Sequence, residues 1–185
     1  HNYFIAKSLT ALRPGGIACL ITSSGTMDAL STEARAYFMK QADLIGAVRL
    51  PNTAFQGTGT SVVSDILVFQ NREPGTPYKG EAFLEVGKKP WEGANRWGSY
   101  DQNEYFVKHP EMVLGTADYG KGQYGRTVVT YNPLESRYSL QTQIERAMAK
   151  IQRHMTYPVK QTAEEVRAEI KKAAAKGRPG SLVQK

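Results

Sequence analysis

The residues with the clearest chemical potential lie in a polar loop between two apolar stretches, in the run RLPNTAFQGTGTSVVSDILVFQ at 49–70. Gly57 and Gly59 permit the left-handed backbone, and the hydroxyls of Thr53, Thr58, Thr60 and Ser61 can satisfy backbone groups of the loop. Turn chemistry does not need the large aromatic Phe55. This side chain must therefore either fill a gap in a core or stack on a ligand, and the residues alone leave both alternatives open.

Other residue types that often carry chemistry are not arranged for it. His1, His109 and His154 stand apart from one another and from carboxylates at ligand spacing, and one cysteine, Cys19, cannot form a thiolate zinc centre. Ser23 and Ser24 lack the glycines of a nucleophile elbow, and the run KGQYG at 121–125 lacks the phosphate-loop pattern. The sequence predicts no metal site and no complete catalytic constellation.

The elements that position the loop follow an α/β pattern. A helix ends at Arg13-Pro14-Gly15-Gly16, an apolar strand covers 17–21, a helix covers about 31–41, and a second strand runs from Asp43 to Leu50. The short connection after Leu50 predicts that the third strand, which follows the loop, pairs antiparallel. These elements predict part of a doubly wound sheet, with ligands outside the carboxyl ends of the first two strands.

Beyond residue 72 the composition changes, with a predicted strand at 82–86, a short helix from Asn103 to Leu114 and a strand at 128–131. Basic and aromatic residues alternate around residue 90, where they can contact phosphates and stack on bases or, alternatively, cover the edge of the sheet. The candidate DNA contacts here are Lys88, Lys89 and Arg96, interleaved with Trp91, Trp97 and Tyr100.

The positive charge is concentrated at the end of the chain. The net charge is +7, and the segment 144–185 holds ten Lys and Arg against four Asp and Glu. A cationic helical segment can neutralise DNA phosphates, with Arg153, Lys171 and Lys172 as candidate contacts, but it can equally be a solvated helix face. No apolar run is long enough for a membrane helix, no signal peptide is visible, and the single cysteine fits a reducing compartment, so we expect a cytoplasmic protein with no membrane partner.

Several segments of the sequence, in the order in which they occur, resemble those of one enzyme family. The helix, the RPGG turn, IACLITSSGTM, DLIGAVRLP and NTAFQGTGTSVVSDILVFQ are similar to the carboxyl-terminal half of S-adenosylmethionine-dependent DNA adenine (N6) methyltransferases. The resemblance is strongest to methylase domains inside large helicase and methylase fusions of phages and other mobile elements. It covers residues 1–72 and continues in NEYFVKHPEMVLG at 103–115.

The resemblance implies a domain plan and roles for the loop. Residues 1–72 would be the downstream half of a Rossmann-like class I methyltransferase sheet, 73–135 a mixed, irregular extension and 136–185 a basic helical tail. Phe55 would stack on the target adenine turned out of the duplex, and the supporting residues of the loop would be Thr53, Gln56, Thr58 and Thr60.

The resemblance also implies what this chain lacks. The glycine-rich cofactor loop and the Asn/Asp-Pro-Pro-aromatic tetrapeptide of the family are absent, so we expect both upstream of His1, in a longer protein that binds S-adenosylmethionine. The expected partners are DNA, the upstream methyltransferase half and a helicase module of the same protein. The alternative is a catalytically inactive DNA-binding or scaffold module. Restriction, anti-restriction and transfer of mobile DNA all remain open as settings.

Overall fold

The computed structural model describes residues 1–91, 98–121 and 127–151, together with residues 164, 167, 168 and 170–172. Two of the predicted DNA contacts, Arg96 and Arg153, lie outside these residues. The chain divides into two compact units, His1–Met155 and Thr156–Lys185. In the second unit the described residues are helical and exposed. The three-part division predicted at residues 72 and 135 stays a prediction.

A three-stranded sheet forms the centre of the first unit. Its strands are β1 (Ile17–Ser23), β2 (Ala42–Leu50) and β3 (Ser64–Asn71), in the spatial order β1-β3-β2. Both outer strands pair antiparallel with β3, so β1 and β2 run parallel to each other. All of β2 and nearly all of β3 is buried, as their near-continuous apolar sequences require. The antiparallel pairing predicted for the third strand is confirmed.

Helices cover one face of this sheet, and a later helix covers part of the other. The first three helices are α1 (Asn2–Thr10), α2 (Gly25–Asp28) and α3 (Glu33–Gln41). The rings of Phe38 on α3 and Phe69 on β3 meet edge to face at 6.1 Å. Val68 points to the opposite face, where its register partner Gly46 lies against Ile151. Ile151 ends α5 (Leu140–Ile151).

The segment between the sheet and α5 contains two antiparallel hairpins. Strands β4 (Val86–Pro90) and β5 (Ser99–Asn103) form the first, and β6 (Gly115–Lys121) and β7 (Thr127–Pro133) form the second. Between them lie α4 (Glu104–Lys108) and a 3₁₀ turn at Pro110–Met112. The strand predicted at 82–86 is wrong except for its last residue, because residues 82–85 connect to β4 without pairing.

The mixed α/β class is confirmed. All strand pairs within the three described sheets are antiparallel, and the parallel strands β1 and β2 do not touch. The finer assignment, half of a Rossmann-like methyltransferase sheet, is not confirmed by this topology.

Candidate functional site

The predicted loop lies at the ends of β2 and β1, where the chain turns back into β3. Phe55 is half-buried and packs against the main hydrophobic core, at the start of a 3₁₀ turn at Gln56–Thr58. Its contact with the core agrees with the gap-filling alternative, and its exposed part leaves room for a ligand contact. Stacking of Phe55 on a base therefore stays a prediction.

Hydrogen bonds inside the loop hold its shape. The Thr58 hydroxyl donates to the Phe55 carbonyl at 2.7 Å, and the backbone N–H of Gln56 donates to the Thr53 carbonyl at 3.0 Å. Gly59 takes φ +80°, which a side chain would disfavour. Thr60 is exposed. These contacts are internal to the loop, and the side chain of Thr58 is directed to its own backbone.

The described lysines among the predicted DNA contacts lie in three separate surroundings. Lys88 is exposed on β4, and its ammonium group lies 2.6 Å from a carboxylate oxygen of Asp101. Lys89 is half-buried beside Trp91 and Tyr100. Lys171 and Lys172 are exposed in the second unit.

A buried ionic cluster lies beneath the same edge of the sheet. We define the Arg49 cluster as Arg49, Asp65, Asp28, Tyr131 and Phe106. Arg49 is fully buried and donates two hydrogen bonds of 2.8 Å to Asp65, from Nε to Oδ1 and from Nη2 to Oδ2. Its Nη1 lies 2.7 Å from Asp28 and 3.1 Å from the Tyr131 hydroxyl. The guanidinium carbon lies 4.3 Å above the Phe106 ring.

The charges of this cluster stabilise one another inside the protein. Burial by itself lowers the pKa of Arg49, but the charges of Asp65 and Asp28 outweigh it and hold that pKa well above its ordinary value. Burial raises the pKa of Asp65, and the adjacent guanidinium opposes that rise. Burial also raises the pKa of Tyr131, so its hydroxyl stays neutral and accepts the hydrogen bond from Arg49.

Neighbouring amides extend the Arg49 cluster into the hairpins. Gln102 donates to the Tyr131 hydroxyl at 3.1 Å, and the Asn103 amide N–H donates to Asp28 at 3.0 Å. The Asn103 side chain donates to the carbonyls of Met27 and Phe83 and accepts from the Tyr105 amide, which caps α4. The cluster and these amides thus join β2, β3, α2, β5 and β7. The charged groups of the cluster interact with one another and so link these elements.

The sequence interpretation missed the Arg49 cluster. The available signal was a charged residue inside each of two buried apolar strands, Arg49 in ADLIGAVRL and Asp65 in SDILVFQN. Charged side chains are almost never fully buried unless they are paired, so each of them predicts the other.

An exposed pair of arginines lies near the start of α5. The guanidinium carbon of Arg146 lies 3.6 Å from the centre of the Tyr138 ring, and Arg137 Nη2 donates to the Tyr138 hydroxyl at 2.6 Å. Hydrogen bonds from Arg146 and then Arg137 lower the pKa of Tyr138. No ion pair among the described residues includes Arg137 or Arg146. The sequence interpretation did not single out these three residues either.

The fold and these clusters define a mixed α/β protein whose charged centre is structural. No family model matches the chain, and no solved structure matches it. The chain is similar to Defense against restriction protein B of Escherichia phage P1, at 30% identity over 131 residues. The alignment covers 69% of this chain and 6% of the phage protein, so the chain spans a small part of the length of this relative.

This similarity corrects the methyltransferase assignment that was based on sequence motifs. The relative is not named as a methyltransferase, and no methyltransferase family matches, so the identification of this chain as a DNA adenine methyltransferase fragment is wrong. The functions derived from it, namely DNA methylation and a restriction-modification or helicase-associated methylase, are wrong for the same reason. S-adenosylmethionine as a cofactor rested on that resemblance alone and stays an untested prediction.

No helix within the described ranges has both the length and the apolar character to span a lipid bilayer.

Proposed function

We propose that this chain takes part in protecting DNA against restriction, as a DNA-contacting module of a larger protein. The observation that carries the proposal is the 131-residue similarity to Defense against restriction protein B, which extends over more than two thirds of the chain. Because the alignment covers 6% of that relative, the proposal concerns a contribution to protection and not its whole mechanism.

The charge of the chain supports DNA as the partner. The net charge of +7 favours association with a polyanion such as DNA. The buried Arg49 does not contribute to this attraction, because its charge is neutralised by Asp65 and Asp28. Lys88 on β4 and the lysines Lys171 and Lys172 in the second unit are exposed to solvent, as are Arg137 and Arg146. These cations can approach phosphates without leaving a buried partner uncompensated.

The open side of the central sheet supports a second part of the proposal, in which another segment of the same larger protein packs beside β1. On the face of β1 away from α1, the side chains of Ile17, Cys19 and Ile21 are exposed. Such a run of apolar residues on an edge strand is uncommon in a protein that works alone. The expected upstream segment and a helicase module are partners of this kind, and both remain proposals.

Restriction of incoming DNA in living cells tests the proposed function. Cells that carry a restriction endonuclease are supplied with the chain, and unmodified phage or plasmid DNA with target sites is introduced. We expect a higher surviving fraction of DNA than in cells that receive the Arg49→Met variant, because that change leaves the buried Asp65 without its guanidinium partner and should destabilise the fold. Equal survival in the presence of the two proteins, with the wild-type chain shown to be folded and abundant, would overturn the proposal.

A cleavage assay with purified components separates two ways of protecting DNA. The chain is added to a duplex and its restriction endonuclease, once with the duplex in excess over the chain and once with the chain in excess. Protection that requires the chain to cover the duplex indicates direct contact with DNA. Protection at low coverage indicates action on the endonuclease, and DNA would then be the wrong partner.

A further inference from the structure

We infer that Arg137 and Arg146 form a binding site for a phosphate group of the duplex DNA backbone, a site that rests on the DNA contact in the proposed function. Their guanidinium groups converge on one side chain, Tyr138, from different directions. Arg146 lies over the ring, with its guanidinium carbon 3.6 Å from the ring centre, and Arg137 donates to the hydroxyl at 2.6 Å.

Two guanidinium groups at one side chain repel each other, and contacts of both with the Tyr138 ring, at 4.8 Å for Arg137 and 3.6 Å for Arg146, offset part of this repulsion. Among the described residues no carboxylate forms an ion pair with either arginine. The carboxylate adjacent in sequence, Glu145, instead accepts a hydrogen bond from Gln141 at 3.0 Å. The positive charge of the pair is therefore left for a partner outside this part of the chain.

The orientation of the N–H groups specifies the kind of partner. Arg137 donates to the Tyr138 hydroxyl and Arg146 lies over the ring, so the two guanidinium groups present several N–H donors around one side chain, and donors of this kind bind phosphate oxygens. Hydrogen bonds from the two arginines lower the pKa of Tyr138, in keeping with the positive potential that these groups place around its hydroxyl. The two non-bridging oxygens of a phosphodiester share one negative charge. They can therefore compete with the neutral Tyr138 hydroxyl for the N–H group that Arg137 now donates to it.

The support beneath the pair is a regular element of the first unit. Arg146 lies within α5, which is fixed to β2 by Ala147 and Ile151, two buried residues of the main core. Tyr138 is joined to the same helix because its carbonyl accepts a hydrogen bond from the Gln143 side chain at 3.0 Å. The arginine pair is thus exposed at its donor ends and anchored at its base, which reduces the conformational entropy lost on binding.

Salt-dependent DNA binding tests the inference. The full chain is titrated into a labelled duplex of about 25 base pairs at several salt concentrations, and the logarithm of the binding constant is plotted against that of the salt concentration. For Arg137→Gln/Arg146→Gln we expect several-fold weaker binding and a slope reduced by about one unit per lost phosphate contact. The thermal midpoint should not change, because both side chains are exposed.

Two further variants distinguish the effect of net charge from the effect of the two arginine side chains. Lys7→Gln/Lys40→Gln removes the same two charges from exposed positions on α1 and α3, and should reduce the slope less than the arginine pair does. Arg137→Lys/Arg146→Lys keeps the charge and removes the planar fork, so it should keep most of the salt slope and lose affinity. Equal effects of the glutamine pairs would show that only net charge matters and would overturn the site.

The source of the phosphate is resolved by a parallel titration with inorganic phosphate at constant ionic strength. Arginine-dependent binding of inorganic phosphate, together with duplex binding that does not change on substitution, would overturn the DNA contact in favour of a small phosphate ligand. Wild-type protein that binds no duplex would overturn the inference as well. Arginine-dependent binding by a chain that does not raise DNA survival would leave the inference intact and refute the proposed function.

Discussion

The two outer strands of the central sheet differ in how their free edges are covered. Along β2, the Leu114 amide donates to the Arg49 carbonyl and the Glu81 amide donates to the Leu44 carbonyl, both at 2.8 Å. Along β1, no described residue outside the sheet donates a backbone hydrogen bond to the strand or accepts one from it. Within the described residues, the free edge of β2 therefore receives backbone hydrogen bonds from other segments and that of β1 receives none.

Side chains in the same row of the sheet show the same difference. Ile21 on β1 and Val48 on β2 flank Ile66 of β3 and point to the same face. Val48 is fully buried, whereas 60% of Ile21 is exposed. On this face of the sheet, burial is therefore concentrated at β2, where α5 meets the sheet, whereas the buried side chains of β1, such as Ala18, lie on the opposite face.

Replacement of Arg49, the charged residue at the centre of the Arg49 cluster, should have the largest effect on the free energy of unfolding. Arg49→Met leaves Asp65 buried without its two 2.8 Å hydrogen bonds, and we expect a loss of about 3–5 kcal/mol in the free energy of unfolding. Urea denaturation measures this loss. Since domains of this size are stable by roughly 5–15 kcal/mol, the variant should be close to unfolding at physiological temperature.

The double variant Arg49→Met/Asp65→Leu is the matched control. It removes both buried charges, and Asp28, whose side chain is 20% exposed, can be solvated. We expect it to be more stable than Arg49→Met alone. A single variant that loses less than about 1 kcal/mol would contradict the assignment of the Arg49 cluster as the main structural centre.

The sequence could predict the elements of the sheet better than the contacts between them. The strands β2 and β3 and their antiparallel pairing follow from apolar runs and one short connection. The hairpin strands were missed or only partly predicted because sequences such as VGKKP and GTADYGK have no clear apolar alternation. The second hairpin places Tyr131 against Arg49, 82 residues away in sequence, and no local pattern reveals such a contact.

The face of β2 under α5 gives a second, smaller test. A methyl group added at Gly46 would lie 2.5 Å from Cγ1 and 2.7 Å from Cδ1 of Ile151, closer than carbon atoms can approach. Gly46→Ala should therefore force α5 outward and cost about 1–3 kcal/mol in the free energy of unfolding. Thermal and urea denaturation measure the change.

Two controls show whether the cost comes from this contact. Gly87→Ala introduces a methyl group that meets no atom within 4 Å, and it should be close to neutral. Gly46→Ala/Ile151→Ala makes room for the added methyl group, so its loss of stability should be smaller than the sum of the two single losses. Additive losses would mean that Ile151 is not the group that Gly46 accommodates.

The smallest expected effect lies on β1 and tests the comparison directly. Val48→Ala removes two buried methyl groups and should cost about 2 kcal/mol, including part of the cavity that remains. Ile21→Ala, in the same row, should change the free energy of unfolding by less than about 0.5 kcal/mol because its side chain is already largely in water. If Ile21→Ala costs as much as Val48→Ala, the β1 face is covered in solution. A loss that grows with protein concentration would then identify a second copy of the chain as the cover, whereas a loss independent of concentration would place the cover within the chain itself.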